Sequence, residues 1–508
     1  MPTLSRRQTF MGIGAGLSVT VAGASDDAQA AAAKPDFTLL LVNDIYRMGE
    51  REGRGGFARL AAIVKAERER GVPMLFCHAG DCFSPSLMSG FDQGAHIVEL
   101  LNAIRPDVFV PGNHEFDFGV ATYRKRMEEA NFPFYAANMR QADGSPVPGM
   151  KDTSLHRLGP VTVGIVGLAL VDTPAKSQSG DLKFYAEPEV LRREAAALRK
   201  AGADLVVAVA HTDRPTDTEI MGSHIVEVLL SGHDHDLALA YDGKTVMVES
   251  SEEGNFVTAI DFTVKIAGEG SDRTVTWSPS FRIHDSAATD PDPEVGAIVA
   301  RLERQLAKEL DVPLARTEVA LDSRTVVVRA EEAAIGNLVA DAIRASTGAD
   351  LVVINGGGIR ANKVYPAGTM LTRRDILSEL PFGNTTVLVE LSGEQVKRLL
   401  ENGVTQVGNP SGRFPQVSGL RFTIDKAAPV GARVSAITHD GMPLALEKRY
   451  KVGAHNFMLA GGDGYGSLAD GDVLIGATDG KLVANEVMAH AERLGTIRTG
   501  TEGRIAFK

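Results

Sequence analysis

Five short apolar runs, each stopping at a cluster of polar residues, constrain the fold of the first half of this chain more than any other feature. They read FTLLLV before Asn43-Asp44, VPMLFCHA before Gly80-Asp81, DVFVP before Gly112-Asn113-His114, DLVVAVA before His211 and VEVLLS before Gly232-His233. Runs of this length, rich in Val and Leu, read as buried strands. Helical patterns over residues 58–70 and 188–201 separate some of them, which predicts an α/β fold. Polar groups at successive strand ends converge on one edge of a sheet, the usual place for an α/β site.

With 508 residues the chain is too long for one ordinary core, and 44% hydrophobic content can fill two. The segment SAATDPDP before an amphipathic helix, Glu294 to Leu310, marks a boundary. Beyond it come further strand-and-turn patterns such as ADLVVINGGG, TTVLVELSG and YKVGAHNFML. The expected division is an export signal over 1–33, a first domain over 34–286, a linker helix over 287–312 and a second domain over 313–508.

Ser5-Arg6-Arg7 followed by a glycine-rich apolar run and by Ala28-Gln29-Ala30 resembles a twin-arginine export signal, with Thr9 where a large apolar residue is usual. No other stretch is long and apolar enough to span a bilayer. The expectation is a periplasmic or secreted protein that uses the twin-arginine machinery. A net charge of −12 disfavours nucleic acid as a partner. The two cysteines, Cys77 and Cys82, allow one local bridge and exclude a disulfide framework.

Asp44, Asp81, Asn113, His211, His233 and His235 are six oxygen and nitrogen donors at strand ends. Such a set suits two divalent ions about 4 Å apart, an arrangement that clamps the oxygens of a phosphoryl group. The order of these motifs, D-x, GD, GNHE, a lone H and GHxH, resembles that of the calcineurin-like metallophosphatases. That resemblance implies a four-layer αββα sandwich in which Asp81 bridges the ions. Asn113, His211 and His233 would complete one site, and Asp44 and His235 the other. It also implies that His114 is the general acid, with Asp117 orienting its imidazole. The family has histidine where this chain has Tyr46.

Further along, NGGGIR, LPFGN and NFMLAGGDGYG match in order the α/β substrate-binding domain of the 5'-nucleotidase/UDP-sugar hydrolase family. The resemblance implies that Phe382 and Phe457 sandwich a base and that Asp463 accepts from ribose hydroxyls. Arg360 would meet phosphate, with Asn355 and Asn384 as polar neighbours. Family members often carry a second basic residue where Ala333 and Asn337 stand here; Arg329 lies nearby in sequence.

The expected function is metal-dependent hydrolysis that releases phosphate from nucleoside 5'-monophosphates and extends to nucleotide anhydrides such as UDP-sugars. Alternatives within the fold are 2',3'-cyclic nucleotides, sugar phosphates or a thiosulfonate. A metal-impaired nucleotide-binding protein is the alternative from another class. The donor set is compatible with zinc, manganese or iron.

Overall fold

A computed structural model describes residues 34–268 and 272–508; the expected export signal lies outside the described residues. The first half contains two sheets packed face to face. One has seven strands, in the order Thr274–Asp285, Phe256–Ala267, Phe37–Val42, Met74–His78, Val108–Phe109, Phe134–Tyr135 and Met150–Lys151. The other has six, in the order Leu237–Tyr241, Val246–Ser250, Val228–Ser231, Leu205–Ala210, Val161–Leu168 and Thr153–Leu158. The central pairings in both sheets are parallel; antiparallel strands lie at both edges of the six-stranded sheet and at one edge of the seven-stranded sheet, whose other edge, Met150–Lys151, is parallel.

The unbroken apolar runs have a direct cause: their strands are covered on both faces. Phe37, Leu39 and Leu41 point into the core between the sheets, where they meet Val163, Ile165, Val207 and Val209. Leu40 and Val42 point the other way, into a core shared with the helices Phe57–Glu69 and Ala95–Ile104. On the outer face of the second sheet, Val206, Ala208 and Ala210 pack with Val190, Leu191 and Leu198 of the helix Glu187–Lys200. The layers therefore run helix, sheet, sheet, helix. The helix Pro293–Glu309 adds Val295, Val299 and Leu302 to the outer helical layer of the first half.

The second half is built on a five-stranded sheet ordered Pro415–Ser418, Leu351–Asn355, Arg449–His455, Thr386–Ser392 and Asp472–Ile475. Val352 and Ile354 face the helices Ala334–Thr347 and Val483–Leu494, while Leu351 and Val353 face the helix Gly393–Gly403. Cys77 and Cys82 are free and buried. They cannot form the local bridge that the sequence allows, because Cys77 lies between the sheets and Cys82 on the helical side.

Candidate active site

The six donors come together where the parallel strands of both sheets end. Asp44 follows Phe37–Val42, Asp81 follows Met74–His78, Asn113 follows Val108–Phe109, His211 follows Leu205–Ala210 and His233 follows Val228–Ser231. Asp44, Asp81, His233 and His235 all have positive φ, between 53° and 96°. Non-glycine residues held there are strained, and such strain persists where surrounding structure over-determines the backbone, commonly at functional sites. The approach is close enough to require glycine: a Cβ on Gly112 would stand 2.2 Å from Oδ1 of Asp81 and 2.6 Å from Nε2 of His211.

Ligand-capable atoms of Asp81, His211 and His233 all lie within 4.8 Å of one another, fully buried. His211 Nε2 is 3.0 Å from Asp81 Oδ2 and 3.2 Å from His233 Nδ1. His211 turns its other nitrogen to the carbonyl of Ala79 at 2.7 Å, which fixes the ring. Beside this group, Asp44 Oδ1 lies 3.3 Å from His235 Nε2, and its Oδ2 accepts from the amide of His233 at 2.9 Å. Asn113 is wholly buried, yet neither its Nδ2 nor its Oδ1 has a hydrogen-bond partner among the described residues. Buried polar atoms are rarely left so. A cation held by Asn113 would account for the orphaned oxygen, and the nitrogen–oxygen donor set fits divalent ions.

His114 points its Nδ1 at Asp117 Oδ2, 2.7 Å away, and both side chains are buried. Burial alone would favour the neutral imidazole. The charges of Asp117 and Asp81, with the bonds to Asp117 and to the Thr478 carbonyl, outweigh it and push the pKa of His114 up to about 10. These groups favour the protonated ring. Asp117 is pulled the other way: burial works against its ionisation, but the His114 charge and hydrogen bond hold it below the usual carboxylate range.

Several residues that the sequence reading did not single out position this centre. Glu115, inside GNHE, accepts from four amides: Asp81 at 3.0 Å, Cys82 at 2.7 Å, Phe83 at 3.1 Å and Gly112 at 2.6 Å. It ties the GD loop to the GNHE loop. Glu252 stands 3.0 Å from Nδ1 of His235, and Asn43 bonds Asp44 Oδ2 at 2.8 Å. A second close set of carboxylates, Asp217, Asp234 and Glu249, already surrounds the guanidinium of Arg214, which bonds Glu249 and lies 3.2 Å from Asp217. It is a charge network.

The second half gathers the other expected residues. Asn355, Arg360, Phe382, Asn384, Phe457 and Asp463 line one cavity of about 310 Å³, and Arg329 lines it with them. Phe382 and Phe457 are 58% and 46% exposed, so neither serves as a core residue. Asn355 Nδ2 donates to Asp463 Oδ2 at 2.6 Å, and its Oδ1 meets His455 Nε2 at 2.7 Å. The Arg360 guanidinium lies over the Phe382 ring, 5.2 Å from its centroid. Arg329 could not be placed by sequence spacing, since the only signal was its being a basic residue ahead of the helix Ala334–Thr347.

Comparison with known proteins agrees with both halves. Residues 37–237 match the family model for calcineurin-like phosphoesterases, and residues 313–470 match that for the 5'-nucleotidase C-terminal domain. The chain belongs to the 5'-nucleotidase family. A snake venom 5'-nucleotidase from Naja atra is 27% identical over 93% of this chain and 98% of its own length. The crystal structure of a 5'-nucleotidase precursor from Thermus thermophilus is also 27% identical, covers 93% of this chain and 99% of its own, and aligns with a TM-score of 0.54. The NAD nucleotidase NadN of Haemophilus influenzae, 20% identical over 93% of this chain and 99% of its own, shares the fold with a TM-score of 0.78. As a member of the 5'-nucleotidase family with a calcineurin-like half, this protein is a phosphoric ester hydrolase of the metallophosphatase type.

Proposed function

We propose that this protein hydrolyses nucleoside 5'-monophosphates and nucleotide anhydrides with two divalent ions, one held by Asp81, Asn113, His211 and His233, the other by Asp44, Asp81 and His235. The observation that supports this most is the pairing, in one chain, of the buried donor cluster around the unpartnered Asn113 with a cavity lined by two exposed phenylalanines, Arg360 and Asp463. When bound, such ions supply Lewis acidity and lower the pKa of water.

The protein's own groups supply the rest. His114, protonated and oriented by Asp117, is the proton donor for the leaving oxygen. Phe382 and Phe457 offer faces for stacking a base, which every nucleobase accepts. Asp463 is an acceptor for ribose hydroxyls, and the Arg329 and Arg360 guanidiniums are phosphate donors. Asn384 lies beside Phe382 on the same wall, and Asn355 holds Asp463 in place. We assign residues 34–286 to the metal-bearing domain, 287–312 to the linker helix and 313–508 to the substrate domain. Residues 1–33 are read as a twin-arginine export signal that delivers the enzyme to the periplasm or medium. Among the described residues no helix is long and apolar enough to cross a membrane.

Product analysis over a panel tests the reading: phosphate from 5'-nucleotides and sugar phosphates, UMP with glucose 1-phosphate from UDP-glucose, and the ring-opened monoester from 2',3'-cyclic nucleotides. The expected result is fastest release from 5'-nucleotides, abolished by a chelator and restored by zinc, manganese or iron. Equal release from sugar phosphates, or activity indifferent to chelation, would overturn it.

A further inference from the structure

The turn after the edge strand Asp472–Ile475 leaves the second half and enters the metal-bearing centre. Three of its groups land on that centre. The Thr478 carbonyl accepts from His114 Nε2 at 2.5 Å. Lys481 Nζ donates to the carbonyl of Asp117 at 3.0 Å. Asp479, only 5% exposed, places both carboxylate oxygens 2.9 Å from Lys176 Nζ, and its Oδ1 lies 3.8 Å from His233 Nε2. Lys176 Nζ itself is 3.4 Å from that His233 nitrogen. Lys176 ends the short helix Thr173–Lys176, which follows the strand Val161–Leu168, so it stands on the same strand-end edge as the donors.

An anion thus sits bidentate on a largely buried ammonium beside His233, and a carbonyl oxygen sits on the nitrogen that should carry the catalytic proton. The leaving oxygen of a phosphate ester must take the position of the Thr478 carbonyl if His114 is to protonate it, and the Lys176 ammonium beside His233 offers a second anion position held by Asp479. The clamp residues Arg360, Phe382 and Phe457 line a cavity that contains no residue of the donor cluster. Substrate carried to His114 must therefore displace the turn. Once Asp479 withdraws, Lys176 is a largely buried ammonium without its carboxylate, a costly state unless another anion replaces it.

We propose that Lys176 is a phosphate-binding residue of this active site, and that Asp479 occupies its ammonium between turnovers as an internal stand-in for substrate phosphate. The inference rests on the nucleotidase reading above and adds a cation to it. It also gives the turn a role: Asp479 competes with substrate and product for one partner.

The test uses the metal-loaded protein and inorganic phosphate as probe, read by titration calorimetry, with metal content measured on every variant. Lys176→Met is expected to weaken phosphate binding about tenfold or more, the worth of one charge-assisted hydrogen bond. Lys176→Arg should retain binding within a few-fold, and its behaviour separates loss of charge from misfolding. Asp479→Asn should tighten phosphate severalfold, and that gain should vanish in Lys176→Met/Asp479→Asn. Phosphate affinity unchanged in Lys176→Met, or a gain from Asp479→Asn that persists without Lys176, would overturn the proposal while leaving the nucleotidase reading standing. Failure of the wild-type, metal-loaded protein to bind phosphate at all would overturn both.

Discussion

The hydroxyl of Tyr46 stands 3.0 Å from Nε2 of His235 and 3.0 Å from Oδ1 of Asp44. It occupies the junction of the two side chains assigned to the second ion, in the place where the family has histidine. Burial and the charges of Asp44 and Asp81 push its pKa well above 10, which favours the protonated phenol as a donor to Asp44. Glu252, on the far nitrogen of His235, orients that imidazole and raises its basicity, as carboxylates do for histidines that bind metal. We expect this ion to bind more weakly than the one at Asp81, His211 and His233. Metal analysis after dialysis against a chelator should find it lost first. Tyr46→His should retain it, whereas Tyr46→Phe should change affinity only a few-fold. Metal loss confined to Tyr46→Phe would show that the phenol is a ligand.

His114→Ala should lower turnover by roughly two to four powers of ten, the range for a general acid, with metal content unchanged. The hydrogen bond from its Nδ1 to Asp117 makes Asp117→Asn a companion variant, expected to lower turnover less because the ring remains. Kinetics and metal analysis on the same preparations separate the roles. A His114→Ala protein that is stripped of metal, yet normal once reloaded, would make His114 a ligand instead.

The buried strands of an α/β fold were legible because a strand covered on both faces leaves an unbroken apolar run, as in Phe37–Val42, and because each run stops near the residue that turns toward the site, whereas the four layers followed from the family resemblance. The approach of Asp44, His211 and His233 followed from the same logic. What could not be read were partners without a local pattern. Lys176 and Asp479 lie 303 residues apart, and neither belongs to a motif. Glu252 meets His235 only because the chain reverses between the strands Leu237–Tyr241 and Val246–Ser250. Glu115 was visible as part of GNHE, but its bonds to the amides of the GD loop depend on the parallel pairing of Met74–His78 with Val108–Phe109.

Phe382→Ala or Phe457→Ala should weaken nucleotide binding by about 1–3 kcal/mol, the worth of one stacked base. Their large exposure means that truncation removes little packing, so stability should change little. Hydrolysis of a small aryl phosphate, which has no nucleobase, should fall much less than that of a nucleotide. Equal losses on both substrates would contradict a base-stacking role.

Acid stability offers a prediction remote from the active centre. Asp261 is bonded by Arg70 through two contacts of 2.9 Å, by Arg282 Nε at 2.9 Å and by Thr38 at 2.6 Å, while Arg282 Nη2 also bonds Glu67 at 2.7 Å. Burial works against ionisation of both carboxylates, but these bonds outweigh it: Asp261 is lowered to about 2, and Glu67 is held far below its ordinary value. Groups whose pKa is depressed on folding stabilise the native state above their unfolded pKa, about 4 for carboxylates, and the contribution disappears as pH falls through the folded value. Arg282→Gln should therefore lower the Tm at about pH 7 and lessen the further fall toward about pH 2.5, because fewer protons are taken up on unfolding there. Thermal melts of the two proteins across that range check it. If their Tm difference at the acid end were as large as at neutrality, the carboxylate cluster would not be the source of the acid sensitivity.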